Sequence, residues 1–403
     1  MGLCSIVFCY SIIFYNYLGS CVDNMLKTSI ILFTVVSVIF STIYTPQALL
    51  PQLKQTFDLS MTQTNLLLSG MLFVLMIATP LYAPISMYVG QKKIMMTATF
   101  FLAVSVAASS LAHDFSSLLA SRVAQGVFVP GVTAIMLSYV QRIYPEDQRG
   151  MGMGIYMAAT GFGAVMGRLL SGWVTYLYSW RVAFGVFALL LVIALIAMGV
   201  GLPSDPPTHH PSRTEIRPSS LFSPKVFSVL LVPMVVFFSF MAMTTFVTYH
   251  LAGEPFYLNS AQMGTLFLVL LLSIVVSPLA GRYSDTIGRI WVLFMGVGLL
   301  LFGIVLTQIE SYWWILAGIG FVTMGMFSVQ AVAPAYLGDQ VPTQRRSSAI
   351  LYQFFFYLGG TLGTIIPVWA WSHAEFEGVA LLCSAAVIIG ITPLVWIVRR
   401  NYG

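Results

Sequence analysis

The sequence predicts an all-α membrane protein: twelve transmembrane helices in two pseudo-symmetric six-helix bundles. Three observations carry this expectation. Of 403 residues, 58% are hydrophobic and only 8% are charged, against about 25% charged in an average soluble chain. So little polar surface cannot cover a water-soluble fold of this length. Twelve apolar runs of spanning length follow one another, and the second half of the chain repeats features of the first.

A span needs roughly 20 apolar residues, because the hydrocarbon core is ~30 Å thick and a helix rises ~1.5 Å per residue. Such runs cover 29–50, 62–82, 94–112, 116–140, 151–177 and 181–202 in the first half. In the second they cover 227–250, 261–280, 291–309, 312–337, 347–371 and 378–398. The stretch 203–226 is polar and rich in Pro and Ser, as a linker would be. The expected organisation is therefore a bundle over 25–202, a cytoplasmic linker over 203–226 and a bundle over 227–403. Residues 1–24 form an extra hydrophobic segment with neither a basic leading region nor a clear cleavage site. A thirteenth helix, an interfacial segment and a wrongly assigned start are the three readings; we favour the last, with Met25 as the working first residue.

Charge sets the orientation. With both ends and the linker inside, 14 Lys and Arg face inward and only Lys54 and Arg181 face outward, while Arg122 and Arg168 lie within spans. That bias follows the positive-inside rule and puts both termini in the cytoplasm if the chain starts near Met25. The net charge of +5 gathers on no soluble face, so no nucleic-acid partner is expected. Cys4, Cys9, Cys21 and Cys383 form no CxxC or Cys/His spacing, which supports neither a disulfide framework nor a metal site. No cofactor is implied. The expected partners are the lipid bilayer and a small-molecule substrate, with the chain working as a monomer.

The repeat is read from the loops. "APISMYVGQKK" (83–93) corresponds to "GRYSDTIGRI" (281–290), with Gly90 and Gly288 198 residues apart. "YPEDQRG" (144–150) corresponds to "VPTQRRS" (341–347), with Pro145 and Pro342 197 apart. Two six-helix halves of like topology would pack about an axis along the membrane normal, with a substrate site between them near the midplane.

These motifs resemble the major facilitator superfamily over roughly residues 27–400. "GRYSDTIGR" is similar to that superfamily's Gly-x-x-x-Asp-x-x-Gly-Arg loop, "RVAQG" (122–126) to its second motif, and "GFGAVMGRLLSG" (161–172) stands in the place of its antiporter motif. "YTPQALLPQLKQTFDLS" (44–60) resembles the start of bacterial exporters of the drug/proton antiporter type. Two departures are plain. The first-half loop carries Ala83 and Met87 where the Gly and the acid belong, and Ala164 and Arg168 stand where prolines are common.

The resemblance implies a secondary active transporter. It would export a small organic molecule across a bacterial inner membrane by alternating access, driven by protons. A cytoplasmic gate would comprise Gly281, Asp285, Gly288 and Arg289, with Arg149 as the partner of Asp285; an ordinary helix-capping loop is the alternative. Arg345 and Arg346 would face Met87, leaving the gate asymmetric.

Arg122 and Arg168 are the informative residues inside the spans. A charge at that depth is costly and normally faces a cavity or a partner. All 13 acids fall in loops, termini or helix ends, so none lies deep enough to neutralise them. Either backbone carbonyls, water and Gln125 satisfy the arginines, or they present positive potential to an anionic metabolite or siderophore. Tyr44, Gln47, Gln125, Tyr156, Gln330, Gln353 and Tyr357 are polar residues at inward positions that could line the same cavity. Cationic drugs are disfavoured because the spans offer them no acid, which leaves a broad-specificity multidrug pump as the second reading.

Proton coupling would fall to peripheral groups, Asp58 or a His250/Glu254 pair at i,i+4. Gly163/Gly167 and Gly359/Gly363 are small-xxx-small pairs suited to close helix packing. A membrane-embedded enzyme would need a catalytic cluster at one depth, and no span carries one. A non-transporting receptor would need no repeat.

Overall fold

A computed structural model of the chain describes residues 25–145, 148–203, 223–341 and 345–402. The expectations for 1–24 and for most of the linker lie outside the described residues. So do those that rest on the side chains of Ala83, Met87, Arg345 and Arg346.

No strand occurs among the described residues. The first helix, α1 (25–44), turns at 45–46 and continues through a 3-10 turn, Gln47–Leu49, into a short helix, Leu50–Thr56. Next come α2 (Met61–Tyr88), α3 (Gln91–Ser110), α4 (Phe115–Ile143), α5 (Arg149–Leu177) and α6 (Trp180–Gly201). The second half holds α7 (Pro224–Ala252), α8 (Ser260–Ile287), α9 (Arg289–Leu306), α10 (Tyr312–Gln340), α11 (Arg345–Ile365) and α12 (Pro367–Tyr402). Eleven of these helices are long and apolar enough to cross a membrane, α11 being the other. Two are interrupted. Helix α8 passes through five residues of 3-10 helix, Phe267–Leu271, and α12 kinks at Ala374 and Glu375.

The breaks between helices have local causes. At the end of the molecule away from the linker, here the distal end, α2, α4 and α8 each start with a reciprocal capping box: Ser60 with Gln63, Asp114 with Ser117 and Asn259 with Gln262. Each box satisfies amide donors that a helix start leaves unpaired. Hydrogen bonds from the Ser117 amide and side chain hold the exposed Asp114 carboxyl below its ordinary pKa. Helix α7 starts at Pro224, three residues before the expected 227. Ser223 accepts from the Val226 amide, and proline suits the first helical turn.

Close packing is built on glycine. A side chain at Gly163 or Gly167 of α5 would fall on the Ser37 or Ser41 carbonyl of α1, so the two backbones touch. Ser41 Oγ adds a 2.9 Å hydrogen bond to the Gly163 carbonyl. In the second half, Gly359 and Gly363 of α11 meet the Met234 and Phe238 carbonyls of α7 in the same manner. Between the halves, α2 packs on α11 and α5 on α8.

Replacing Gly363 with Val should cost more than the roughly 1–3 kcal/mol of ordinary overpacking, since backbone rather than a movable side chain stands in the way. The expected result is loss of the monodisperse peak in detergent size-exclusion chromatography. Gly298→Ala, where nothing lies within 4 Å, should leave that peak intact.

Candidate functional site

The two intramembrane arginines are both wholly buried, and they are treated very differently. Arg122 is fully engaged. Its Nε donates to the Leu67 carbonyl at 3.1 Å, Nη1 to the Thr42 carbonyl at 2.9 Å and to Gln125 Oε1 at 2.5 Å, and Nη2 to the Ile43 carbonyl at 2.9 Å. The cause lies in α1. Thr42 is four residues before Pro46, which has no amide hydrogen to give it. Helix α1 ends there, and the guanidinium takes up the carbonyls that the helix end leaves open. Gln125 passes the network on to the Ser105 carbonyl and to Ser109 Oγ.

Arg168 is only partly engaged. Its Nε donates to Gln47 Oε1 at 2.6 Å and Nη1 to the Ala164 carbonyl at 2.6 Å, while Nη2 is buried without a hydrogen-bond partner. The guanidinium carbon stands 4.1 Å from the Tyr44 ring centre and 4.9 Å from that of Phe267, within cation–π range. No carboxylate pairs with it among the described residues.

Arg168 lines a small cavity that is open on one side. Tyr44, Thr160 and Ala164 flank it on one wall, from α1 and α5. The other wall is aromatic. Phe240 of α7, Phe327 of α10 and Phe356 of α11 face the space, with Gln330 and Tyr357 beside them. These rings brace one another: Phe240 meets Phe327 edge-on with ring centres 6.1 Å apart, and Phe356 stacks on Phe237 at 3.9 Å. One wall carries a charge with a donor to spare, and the other offers flat apolar surface.

The distal end of this space is closed by bonds between the halves. Gln47 Nε2 donates to Thr244 Oγ1 and Thr245 Oγ1 of α7, each at 3.0 Å. Asn65 Nδ2 donates to the Thr364 carbonyl at 2.9 Å, and Tyr249 donates to Asn65 Oδ1 at 2.8 Å. Gly172 packs on Ser260 and Gly264, and Gly264 on the Arg168 and Leu169 carbonyls. At the linker end a cavity opens among Lys225, Ser284, Asp285, Arg289, Tyr336 and Asp339.

Of the expected cavity residues, the structure brings together Tyr44, Arg168, Gln330 and Tyr357, with Gln47 buried behind Arg168. Arg122 and Gln125 are not in the cavity; they belong to the α1 end described above. Tyr156 is buried with its hydroxyl on the Thr133 carbonyl, and Gln353 is half-buried on α11 away from the lining.

Around the expected gate, Gly288 adopts a left-handed φ of 94° between α8 and α9. Arg289 pairs with Asp339 and with the Ala335 carbonyl. Asp285 is exposed and makes no ion pair with a described residue; Arg149, also exposed, is not joined to it. His250 does not pair with Glu254. The helix stops at Ala252, His250 stacks on Phe376 at 4.7 Å, and Glu254 accepts from the Tyr257 hydroxyl. The aromatic wall was not anticipated, although the run "QFFFY" (353–357) could have signalled it.

Losing Arg122 would take the donor from the Thr42 and Ile43 carbonyls at the α1 end and from Gln125 Oε1, at about 1–3 kcal/mol each. We expect Arg122→Met to lower the thermal unfolding midpoint in detergent by the equivalent of at least ~3 kcal/mol. Arg168→Gln, which removes a charge with an idle donor, should shift the midpoint far less.

The sequence matches the Major Facilitator Superfamily over residues 30–270 and 234–402. It is 26% identical over 360 residues to the uncharacterized MFS-type transporter YybF of Bacillus subtilis (strain 168), covering 87% of this chain and 88% of that one. It is also 26% identical over 383 residues to the inner membrane transport protein YnfM of Escherichia coli (strain K12), covering 91% and 89%. Among solved structures, a bacterial homolog to the human lysosomal transporter Spinster, inward-facing and occupied, superposes with a TM-score of 0.75 at 14% identity over 92% of this chain and 96% of that one. The human organic anion transporter MFSD10 (TETRAN) gives 0.66 at 16% over 91% and 99%. These likenesses establish the fold, and with the sequence match they settle the family: this chain belongs to the Major Facilitator Superfamily and is a multi-pass membrane transporter of that type.

Proposed function

We propose that this transporter carries a small amphipathic organic anion by alternating access, with Arg168 as the anchor for the anionic group. The observation that carries the reading is the idle Nη2 donor of a wholly buried, carboxylate-free guanidinium at the edge of a cavity. A charge in so dry a place is retained where it has work to do. The substrate's negative group supplies the hydrogen bond and the neutralising charge, and its apolar part lies on Phe240, Phe327 and Phe356. Tyr44, Gln330 and Tyr357 are the polar groups available to orient it.

The wider architecture goes with this reading. Twelve spans in two pseudo-symmetric six-helix bundles are supported by the glycine contacts, which recur 196 or 197 residues apart: Gly163 on Ser37 with Gly359 on Met234, and Gly167 on Ser41 with Gly363 on Phe238. Closure at the distal end and space at the linker end suit a conformation open to the linker side. With 14 basic residues assigned there, that side is the cytoplasm of a bacterial inner membrane. An unengaged Asp285 is what an open cytoplasmic gate requires, with Arg149 as its partner when the gate shuts. Export driven by protons follows from the resemblance to drug/proton antiporters. With every acid at a loop, terminus or helix end, the proton would bind peripherally.

The test is transport into inverted vesicles of matched anionic, neutral and cationic compounds, with and without a proton gradient. We expect anion accumulation that falls at least about tenfold in Arg168→Gln, the loss of one charge-assisted hydrogen bond. Transport of neutral or cationic compounds unchanged by that substitution would refute the reading and favour a general efflux pump.

A further inference from the structure

Gln47 stands where a counter-ion would be. A buried guanidinium is usually answered by a carboxylate; here Arg168 Nε is answered by the amide oxygen of Gln47, itself wholly buried. The amide cannot turn round. At one end Arg168 can only donate, so Oε1 must face it. At the other end, Thr244 Oγ1 spends its hydrogen on the Phe240 carbonyl at 2.6 Å, so it can only accept from Gln47 Nε2. Thr245 Oγ1 accepts as well, at 3.0 Å. The side chain is thus fixed at both ends, and it contributes no charge at either.

We propose that Gln47 is the residue that sets the charge selectivity of the cavity. Resting on the anion reading above, the assignment is that a neutral amide positions Arg168 without neutralising it. Nε is held, and the positive charge and the Nη2 donor are left for the ligand. Glutamate has the same length and would place an anion 2.6 Å from Nε, where the amide oxygen now lies. Thr244 and Thr245 would then turn their hydroxyls to donate, Thr244 releasing the Phe240 carbonyl to its helical amide partner alone, so the joint between the α1 turn and α7 would survive. The substitution would convert a cavity that takes anions into a neutral one with little other change. Gln47 therefore acts through Arg168, as a positioning residue.

The experiment compares wild type, Gln47→Glu, Arg168→Gln and the double variant, all as the full chain in detergent and in proteoliposomes. The first readout needs no ligand. Gln47→Glu should raise the unfolding midpoint when Arg168 is present, by supplying the missing counter-ion. In the Arg168→Gln background it should lower the midpoint, because a lone carboxylate is then buried. A shift of the same sign and size in both backgrounds would overturn the proposal.

The second readout uses 2-naphthoate and its cationic counterpart 2-naphthylmethylammonium. Gln47→Glu should cut 2-naphthoate transport at least about tenfold while the cation is carried no worse than by wild type. A folded Gln47→Glu protein that carries 2-naphthoate at the wild-type rate would refute the selectivity role. The two readings fail separately. If Arg168→Gln transports 2-naphthoate undiminished, or wild type carries no carboxylate, the anion reading falls, while the reversal of sign still reports whether Gln47 leaves a charge unanswered.

Discussion

In a medium without water, no polar group can be left to the solvent, and that rule shapes this transporter. Its clearest expression is the end of α1. Pro46 withholds an amide hydrogen from the Thr42 carbonyl, the helix turns, and Arg122 arrives from α4 to take the carbonyls of Thr42, Ile43 and Leu67. The turn produced in this way carries Gln47 to the place where it meets α5 on one side and α7 on the other. Arg168, the cavity wall and the distal closure all depend on where that turn sits.

The two arginines therefore illustrate one rule with opposite outcomes. For Arg122 the cost of desolvation is met by oxygens from two neighbouring helices, and the charge becomes part of the scaffold. For Arg168 two of the three nitrogens find a partner and one does not, so the protein keeps an unsettled charge beside an open space. Its aromatic neighbours soften the cost through their ring faces without cancelling the charge. Backbone contact at Gly163 and Gly167 holds α5 directly against the α1 main chain beside this site.

Much of this was legible in the amino-acid sequence, and what was not has a physical reason. Spans announce themselves because lipid requires long apolar runs, and the only charges inside them were bound to matter. Deciding between the arginines was a different problem. The partners of Arg122 are mostly main-chain oxygens, and a carbonyl looks the same at every position of a sequence. Only its proline could have hinted which ones were free. Gln125 stood in the right network but was expected in the cavity; no residue of α4 lines that space, and Gln125 turns to Ser105 and Ser109 of α3 instead. The i,i+4 pairing of His250 with Glu254 presumed helix beyond Ala252, where the chain instead turns. The aromatic wall escaped because phenylalanine is abundant on lipid-facing surfaces too, so its number conceals its position.

The five residues of 3-10 helix in α8, Phe267–Leu271, lie beside the arginine they help to cover. A 3-10 helix advances about 2.0 Å and 120° per residue instead of about 1.5 Å and 100°. Over five residues the helix gains about 2.5 Å in length and about 100° in azimuth. The distal and linker-side parts of α8 are therefore out of phase by more than a quarter turn. A stripe of side chains that faces α5 near Ser260 does not continue down the same side toward Ile287. One angular projection of α8 cannot describe both of its ends.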